Sequence, residues 1–142
     1  MITPDPTLIS VPGEGLKREF LPEPVSAPAA RQFVLGLGLS DDSGINLRLA
    51  TMVSEVVTNA IVHARTPFSV SVLDGESAIH VAVEDGSTTV PAGKKHEAVK
   101  GRGLDIINAM ADRWGVTSQL NGKTVWFEVE KDGAALIGQP EA

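Results

Sequence analysis

Three residues with chemically useful side chains recur at intervals of four in an otherwise apolar stretch. Glu55, Asn59 and His63 lie between Arg48 and Ala64, in a segment rich in valine and alanine. An α-helix has about 3.6 residues per turn, so steps of four place a carboxylate, an amide and an imidazole along one edge of a helix. Such a stripe is either an ordinary solvated face or one wall of a binding site.

Two further motifs must be considered together with this stripe. Asp85-Gly86-Ser87 follows a predicted strand, and Gly101-Arg102-Gly103-Leu104 opens a predicted helix. A glycine-rich turn that leads into a helix N-terminus presents free N–H groups, which suit phosphate oxygens. Taken singly, each motif also has a structural explanation: a strand-end turn for Asp85, and a tight turn with positive φ for the glycines.

Hydrophobic periodicity and turn residues predict the elements that must position these motifs. A helix capped by Ser26, with an apolar stripe that ends at Leu37, precedes the long helix, which begins at the capping residues 40–43 and ends before Arg65. A third helix covers residues 101–114, and residues 85–100 form a loop. Strands are predicted at residues 15–21 (an edge strand), 68–73, 78–84, 116–120 and 124–129, with hairpin turns at 74–75 and 121–122.

This order of elements predicts an α+β fold. Strands grouped in hairpins with helices between them favour a two-layer α/β sandwich, in which helices cover one face of a mostly antiparallel sheet. The folded domain is expected to span residues 14–131. Residues 1–13 and 132–142 contain little periodicity and are predicted to be flexible tails.

Composition limits the classes of protein that the chain can represent. Its 142 residues, of which 42% are hydrophobic, fit a single domain. The absence of cysteine excludes disulfides and thiolate metal sites. A net charge of −6 argues against direct nucleic-acid binding, which needs a cationic surface. With no signal-peptide pattern and no uninterrupted apolar run of the ~20 residues that span a bilayer, we expect a cytoplasmic protein without membrane contact.

The order of the motifs along the chain is more specific than any one of them. A helix with Glu-x-x-x-Asn-x-x-x-His is followed by a hairpin ending in Asp-Gly, a loop, and Gly-Arg-Gly-Leu at a helix start. This arrangement resembles the GHKL, or Bergerat-fold, ATP-binding family, and within it the small anti-sigma-factor serine/threonine kinases of bacteria. The resemblance covers nearly all of residues 14–130, and its matching runs are SEVVTNAIVHA, VAVEDGS, GRGLDIINAMADRWGV and GKTVWFEV.

The resemblance implies a role for each matching residue. Asn59 would coordinate a magnesium ion that bridges the ATP phosphates, and Glu55 would be the general base. Asp85 would accept a hydrogen bond from the adenine amino group, with Thr124 as a second contact near the same edge. His63 would either line the nucleotide pocket or pack at the helix end. The other nucleotide-binding residues that the resemblance implies are Ser87, Lys100, Gly101, Arg102, Gly103 and Leu104.

Two functions from different classes remain open at the level of the sequence. The resemblance implies a kinase that uses ATP and Mg²⁺, phosphorylates an anti-sigma-factor antagonist and sequesters a sigma factor, with a homodimer as its assembly. The alternative is a nucleotide-gated or nucleotide-independent binding module that inhibits a partner without catalysis. Glu55 and Asn59 favour the kinase. The alternative is favoured by a short loop at 88–100, and by Ser87 and Thr89 where the family's Asp-x-Gly-x-Gly box has glycines.

Overall fold

Helices and a sheet form two layers in the computed structural model, which describes residues 8–11, 15–87 and 104–131. The helices pack on one face of an antiparallel sheet, which confirms the predicted α+β architecture. In chain order the elements are β1 (Leu8–Val11), β2 (Gly15–Phe20), α1 (Ser26–Leu35), α2 (Ser43–Asn59) with a π-helical turn (Ala60–Ala64), β3 (Phe68–Asp74), β4 (Ala78–Asp85), α3 (Asp105–Met110), β5 (Arg113–Gln119) and β6 (Gly122–Glu130).

The sheet has the strand order β1-β2-β3-β4-β6-β5, and every neighbouring pair is antiparallel. Side chains alternate between the two faces along a strand, so residues paired in register share a face. The face toward the helices is apolar and buried, and the other face carries polar and charged side chains. The buried set consists of Phe68, Val70 and Val72 in β3, Ile79, Val81 and Val83 in β4, and Val125, Phe127 and Val129 in β6.

The long helix α2 begins at an aspartate cap and buries its apolar side. The Asp42 carboxylate accepts hydrogen bonds from the N–H groups of Gly44 (2.7 Å) and Ile45 (3.2 Å), as the capping segment predicts. Together with its π-helical turn, the helix is long and apolar enough to cross a bilayer by composition alone. Its apolar side packs in the core, however, as in the central helix of a globular domain. The buried residues are Ile45, Leu49, Met52, Val53, Val56 and Val57.

Two predictions for the N-terminal part of the chain are wrong. Leu8–Val11, assigned to a flexible tail, form β1, so β2 has a neighbour on each side and is not an edge strand. The backbone groups of β2 that would otherwise face solvent find partners in β1. Ser26, predicted as an N-cap, lies inside α1, because the preceding turn closes with a hydrogen bond from its N–H to the Glu23 carbonyl (2.9 Å).

The third helix is shorter than predicted. It ends at Met110 rather than Trp114, and Gly115, predicted as its stop, lies within β5. Trp114 pairs in register with Phe127 of β6, and its indole N–H donates to the Asn108 side chain (3.0 Å). Strand pairing along the whole of β5 gives partners to backbone groups of β6, which would stay unpaired if α3 continued for one more turn. Pairing with a strand distant in the sequence therefore overrides the local helical pattern.

An ion-pair cluster lies on the sheet face opposite the helices. The Glu128 carboxylate accepts a hydrogen bond from Arg113 Nε (2.7 Å) and faces His80 Nδ1 (2.9 Å). The His80 ring in turn stacks on Trp126, with ring centroids 5.5 Å apart. The hydrogen bond from Arg113, followed by that from His80, lowers the pKa of Glu128 from its ordinary value of 4.5, and the same contact raises the pKa of Arg113.

The lowered pKa of Glu128 predicts an acid-dependent contribution to stability. A carboxylate with a lowered pKa in the folded state stabilises the fold above its unfolded pKa, and this contribution is lost as the pH falls through the folded value. Glu128→Gln should therefore be less stable than wild type at about pH 6, with a difference that shrinks toward about pH 3. Urea unfolding across this range measures it. Glu130→Gln is the control: it removes one 3.4 Å contact to Arg113 and should show a smaller difference. Equal pH profiles for wild type and Glu128→Gln would contradict a stabilising role for the ionised Glu128 carboxylate.

Candidate functional site

The polar stripe of α2 ends in a widened turn. Glu55 and Asn59 are half-buried and His63 is exposed, and none of the three has a side-chain hydrogen bond or ion pair within the part of the chain that the structure describes. The turn Ala60–Ala64 is π-helical, and the Arg65 N–H donates to the Ala60 carbonyl five residues back (2.9 Å). A π turn rotates each residue less than an α turn does, so the residues after Asn59 do not continue the spacing of a regular α-helix.

A hydrogen bond connects the chain after α2 to the end of β4. Arg65 has a φ of 61°, a left-handed conformation that ends the helix and redirects the backbone. The hydroxyl of the next residue, Thr66, then accepts a hydrogen bond from the Gly86 N–H (2.8 Å). A Cβ at Gly86 would lie 3.3 Å from Thr66, so a side chain there would crowd this contact. The contact holds the end of α2 and the Asp85-Gly86-Ser87 motif at the same end of the domain.

Asp85 is a buried carboxylate with a protein partner on each oxygen. Its side chain is 4% exposed; Oδ1 accepts from the Ser87 N–H (2.8 Å) and Oδ2 from Lys123 Nζ (2.5 Å). Lys123 is paired with Asp85 in the register of β4 and β6, and its side chain is 16% exposed. The ammonium offsets the cost of burying the carboxylate. A Cβ at Gly122 would lie 2.1 Å from the Asp85 carbonyl oxygen, so glycine is required where the two strands meet.

Thr124 lies on the opposite face of the sheet from Asp85. It pairs in register with Glu84, and its hydroxyl donates to the Gln119 side chain (3.2 Å). The expectation that Thr124 and Asp85 meet at one edge is therefore wrong, and Lys123 takes that place. Side chains alternate along β6, so Lys123 shares the inward face with the buried residues that follow it. The alternation Val125-Phe127-Val129 was the sequence signal that could have identified Lys123.

The third motif is described only from its last residue onward. Leu104 is 4% exposed and joins the core, directly before α3. Lys100, Gly101, Arg102 and Gly103 lie outside the described residues, as do the rest of residues 88–100 and the tail predicted at residues 132–142. Of the loop predicted at residues 85–100, only its first three residues are described, and Asp85 belongs to β4. The phosphate-binding role expected of the glycine turn stays a prediction.

Arg48 anchors α2 to the end of α3. Its Nε donates to the Met110 carbonyl (2.9 Å), Nη2 donates to the same oxygen, and Nη2 also contacts Asp112 Oδ2 (3.3 Å). A guanidinium at a helix C-terminus satisfies carbonyl groups that have no partner within the helix and complements the negative end of the helix dipole. The contact fixes the position of α3 relative to the helix that carries Glu55 and Asn59.

A cleft of about 340 Å³ opens at the same end of the sheet, but on the face away from the helices. Lys17, Glu19 and Glu84 line it, together with part of Asp85. In register, Glu19 and Glu84 share their face with Thr124, opposite the Asp85 carboxylate. Two glutamates against one lysine give the cleft an excess of negative charge, which repels a triphosphate. This cleft is therefore a poor match to the ATP site expected beside α2.

The residues of α2 fit a magnesium ion that is held mainly by a ligand's phosphates. Among the described residues, no group of three or more histidines or carboxylates is arranged to hold a metal by itself. The Asn59 amide is half-buried and has no side-chain hydrogen bond within the described chain, and it offers one oxygen ligand. Mg²⁺ commonly takes one or two protein ligands and completes its shell with water and phosphate oxygens.

A family model described as a histidine kinase-like ATPase domain matches residues 20–129. The chain belongs to this family. The match runs from the end of β2 through β6, so this histidine-kinase-like ATPase domain includes Glu55, Asn59, Asp85 and Lys123. Membership confirms the GHKL fold and implies ATP as the nucleotide. No curated protein matches the chain.

The Arg48 contact predicts a loss of stability on substitution. Arg48→Met should lower the free energy of unfolding by about 1–3 kcal/mol, because the Met110 carbonyl loses its partner at the end of α3. Urea unfolding followed by circular dichroism measures the change. Arg65→Met is a matched control, since Arg65 is exposed and its guanidinium has a single 3.3 Å contact to the Val62 carbonyl; its change should stay within about 0.5 kcal/mol. Equal effects of the two substitutions would show that Arg48 does not anchor α3.

Proposed function

We propose that this histidine-kinase-like ATPase domain is a serine/threonine protein kinase that binds Mg–ATP beside α2 and phosphorylates an anti-sigma-factor antagonist. It also sequesters a sigma factor and so regulates transcription. The proposal includes a cytoplasmic location and a homodimer. The observation that carries it is the pair Glu55 and Asn59, half-buried and one helical turn apart within the matched ATPase domain.

In this proposal two residues bind the ligand directly, and a third holds the helices around it. Asn59 supplies an amide oxygen to the magnesium ion, which neutralises charge on the phosphates when it is bound. Asp85 accepts a hydrogen bond from the 6-amino group of adenine, since each carboxylate oxygen keeps a free lone pair beyond the bonds from Ser87 and Lys123. Arg48, through its anchor on α3, keeps the two helices in place around the ligand.

Glu55 is the proposed general base of the transfer. The hydroxyl oxygen of the target serine or threonine forms a bond to the γ-phosphorus, and the bond from that phosphorus to the bridging oxygen breaks, leaving its electron pair on ADP. The hydroxyl proton passes to the Glu55 carboxylate, which later releases it to water. A half-buried carboxylate without a described ion-pair partner is available for this step.

The second candidate function is a binding module without catalysis. It is favoured by the state of Asp85, whose two oxygens already have protein partners, and by Ser87 and Thr89 at the positions where the family's box has glycines. The adenine base of a bound nucleotide would therefore have to share the Asp85 carboxylate with Lys123 and Ser87. In this alternative, the domain inhibits a partner by binding it, and nucleotide either gates the binding or plays no part.

Calorimetric titration with ATP in the presence and absence of Mg²⁺ tests the nucleotide site. Wild type should bind Mg–ATP, Asp85→Asn should bind it at least about tenfold more weakly, and Asn59→Ala should lose most of the effect of magnesium on affinity. Thr124→Val is the matched control and should bind as wild type does, because Thr124 faces the other side of the sheet. If wild type does not bind Mg–ATP, the kinase proposal is wrong at its first step.

Transfer of radiolabelled γ-phosphate to candidate antagonist proteins tests the catalytic step. Glu55→Gln should reduce the transfer rate by about 10²–10⁴-fold, as expected for loss of a general base, while Mg–ATP binding is retained. Glu84→Gln, an exposed glutamate on the opposite sheet face, should leave the rate unchanged. Tight antagonist or sigma-factor binding without label transfer by wild type would favour the binding module instead.

A further inference from the structure

Lys123 lies where the proposed function expects a nucleobase to meet the protein. Its ammonium contacts the Asp85 carboxylate at 2.5 Å, on the sheet face that is turned toward the helices. We infer that Lys123 reads the base together with Asp85: the ammonium donates a hydrogen bond to N1 of a 6-aminopurine, and the carboxylate accepts one from the 6-amino group. This inference rests on the proposed function, because it assigns a specificity-determining residue within that site.

The two side chains have the free hydrogen-bonding capacity that this role requires. An ammonium has three N–H donors, and one of those on Lys123 goes to Asp85. Each oxygen of Asp85 accepts one described hydrogen bond and can accept a second. The pair therefore offers an acceptor and a donor side by side. Lys123 is the more exposed member, at 16% against 4%, so its remaining donors lie nearer to the surface.

The order of acceptor and donor distinguishes between purines. Adenine presents the 6-amino donor beside the N1 acceptor, which is the complement of a carboxylate beside an ammonium. Guanine presents the O6 acceptor beside an N1–H donor, so in the same position it would place an oxygen against the carboxylate and an N–H against the ammonium. Such mismatched polar groups in a buried site are costly, and the pair therefore selects a 6-aminopurine.

The backbone fixes Lys123 in this position. Gly122 lets β6 approach the Asp85 backbone more closely than any other residue would, since a Cβ there would lie 2.1 Å from the Asp85 carbonyl oxygen. The register of β4 and β6 then sets Lys123 directly opposite Asp85. The next residue, Thr124, faces the other side of the sheet and contacts Gln119, so it does not substitute for Lys123.

A change of one ligand atom tests the contact without altering the protein. In 1-deaza-ATP a C–H group replaces N1, so the nucleotide keeps its 6-amino group and phosphates but loses the acceptor. Calorimetric titration in the presence of Mg²⁺ should show that wild type binds 1-deaza-ATP about tenfold more weakly than ATP, as expected for loss of a charge-assisted hydrogen bond. Equal affinities of wild type for the two nucleotides would overturn the inference while leaving the proposed function intact.

A thermodynamic cycle assigns the lost contact to Lys123 rather than to another donor. Lys123→Met should bind ATP more weakly than wild type and should bind ATP and 1-deaza-ATP with equal affinity. Thr124→Val should keep the wild-type ratio between the two nucleotides. A tenfold ratio that persists in folded Lys123→Met would overturn the role of Lys123, and the wild-type comparison decides the N1 contact if that variant does not fold. Failure of wild type to bind any adenine nucleotide would overturn the proposed function and this inference with it.

Discussion

The burial of α2 against the sheet is the constraint on which the rest of the structure depends. Leu49, Met52, Val53, Val56 and Val57 are almost fully buried against the apolar faces of β3, β4 and β6. Burial at this density fixes the rotation of the helix about its axis, since turning it would expose apolar side chains and bury polar ones. Glu55 and Asn59 are consequently held at the edge of the buried face. Their chemistry is positioned by the apolar residues between them, and not by direct hydrogen bonds within the described chain.

Much of the architecture follows from the sequence because local signals and the core agree. The alternation in β3 and β4, the aspartate cap of α2 and the two hairpin turns all predict elements that are present. The exceptions lie where a backbone segment could form either local structure or a strand pairing. Trp114 fits a helical pattern, yet it pairs with Phe127, and Leu8–Val11 has no clear period, yet it pairs with β2. Strand pairing depends on residues far along the chain, so a local reading of either segment does not find it.

The candidate site was predictable in part for the same reason. Asp85 is identified by its position after a strand, and it is buried as a site residue should be. Thr124 was implied by the family resemblance as a second contact near the same edge, but adjacent residues of a strand face opposite sides of the sheet. The structure places Lys123 there instead, and its ammonium partly neutralises the charge of the Asp85 carboxylate. Family membership over residues 20–129 gives the fold and the nucleotide class, but such membership does not determine which partner protein the surface recognises.

The π-helical turn at Ala60–Ala64 shifts the chain that follows α2 by one residue relative to a regular α-helix. A regular α-helix would cover the same rise with one residue fewer. The residues that follow would then lie at a different angle about the helix axis. The extra residue directs Arg65 and Thr66 toward the end of β4, where Thr66 meets Gly86. A homologous chain with a single deletion in this turn would keep Glu55 and Asn59 in place but would move Thr66 away from Gly86. The length of this turn thus sets the spacing between α2, which carries Glu55 and Asn59, and the end of β4, which carries Asp85.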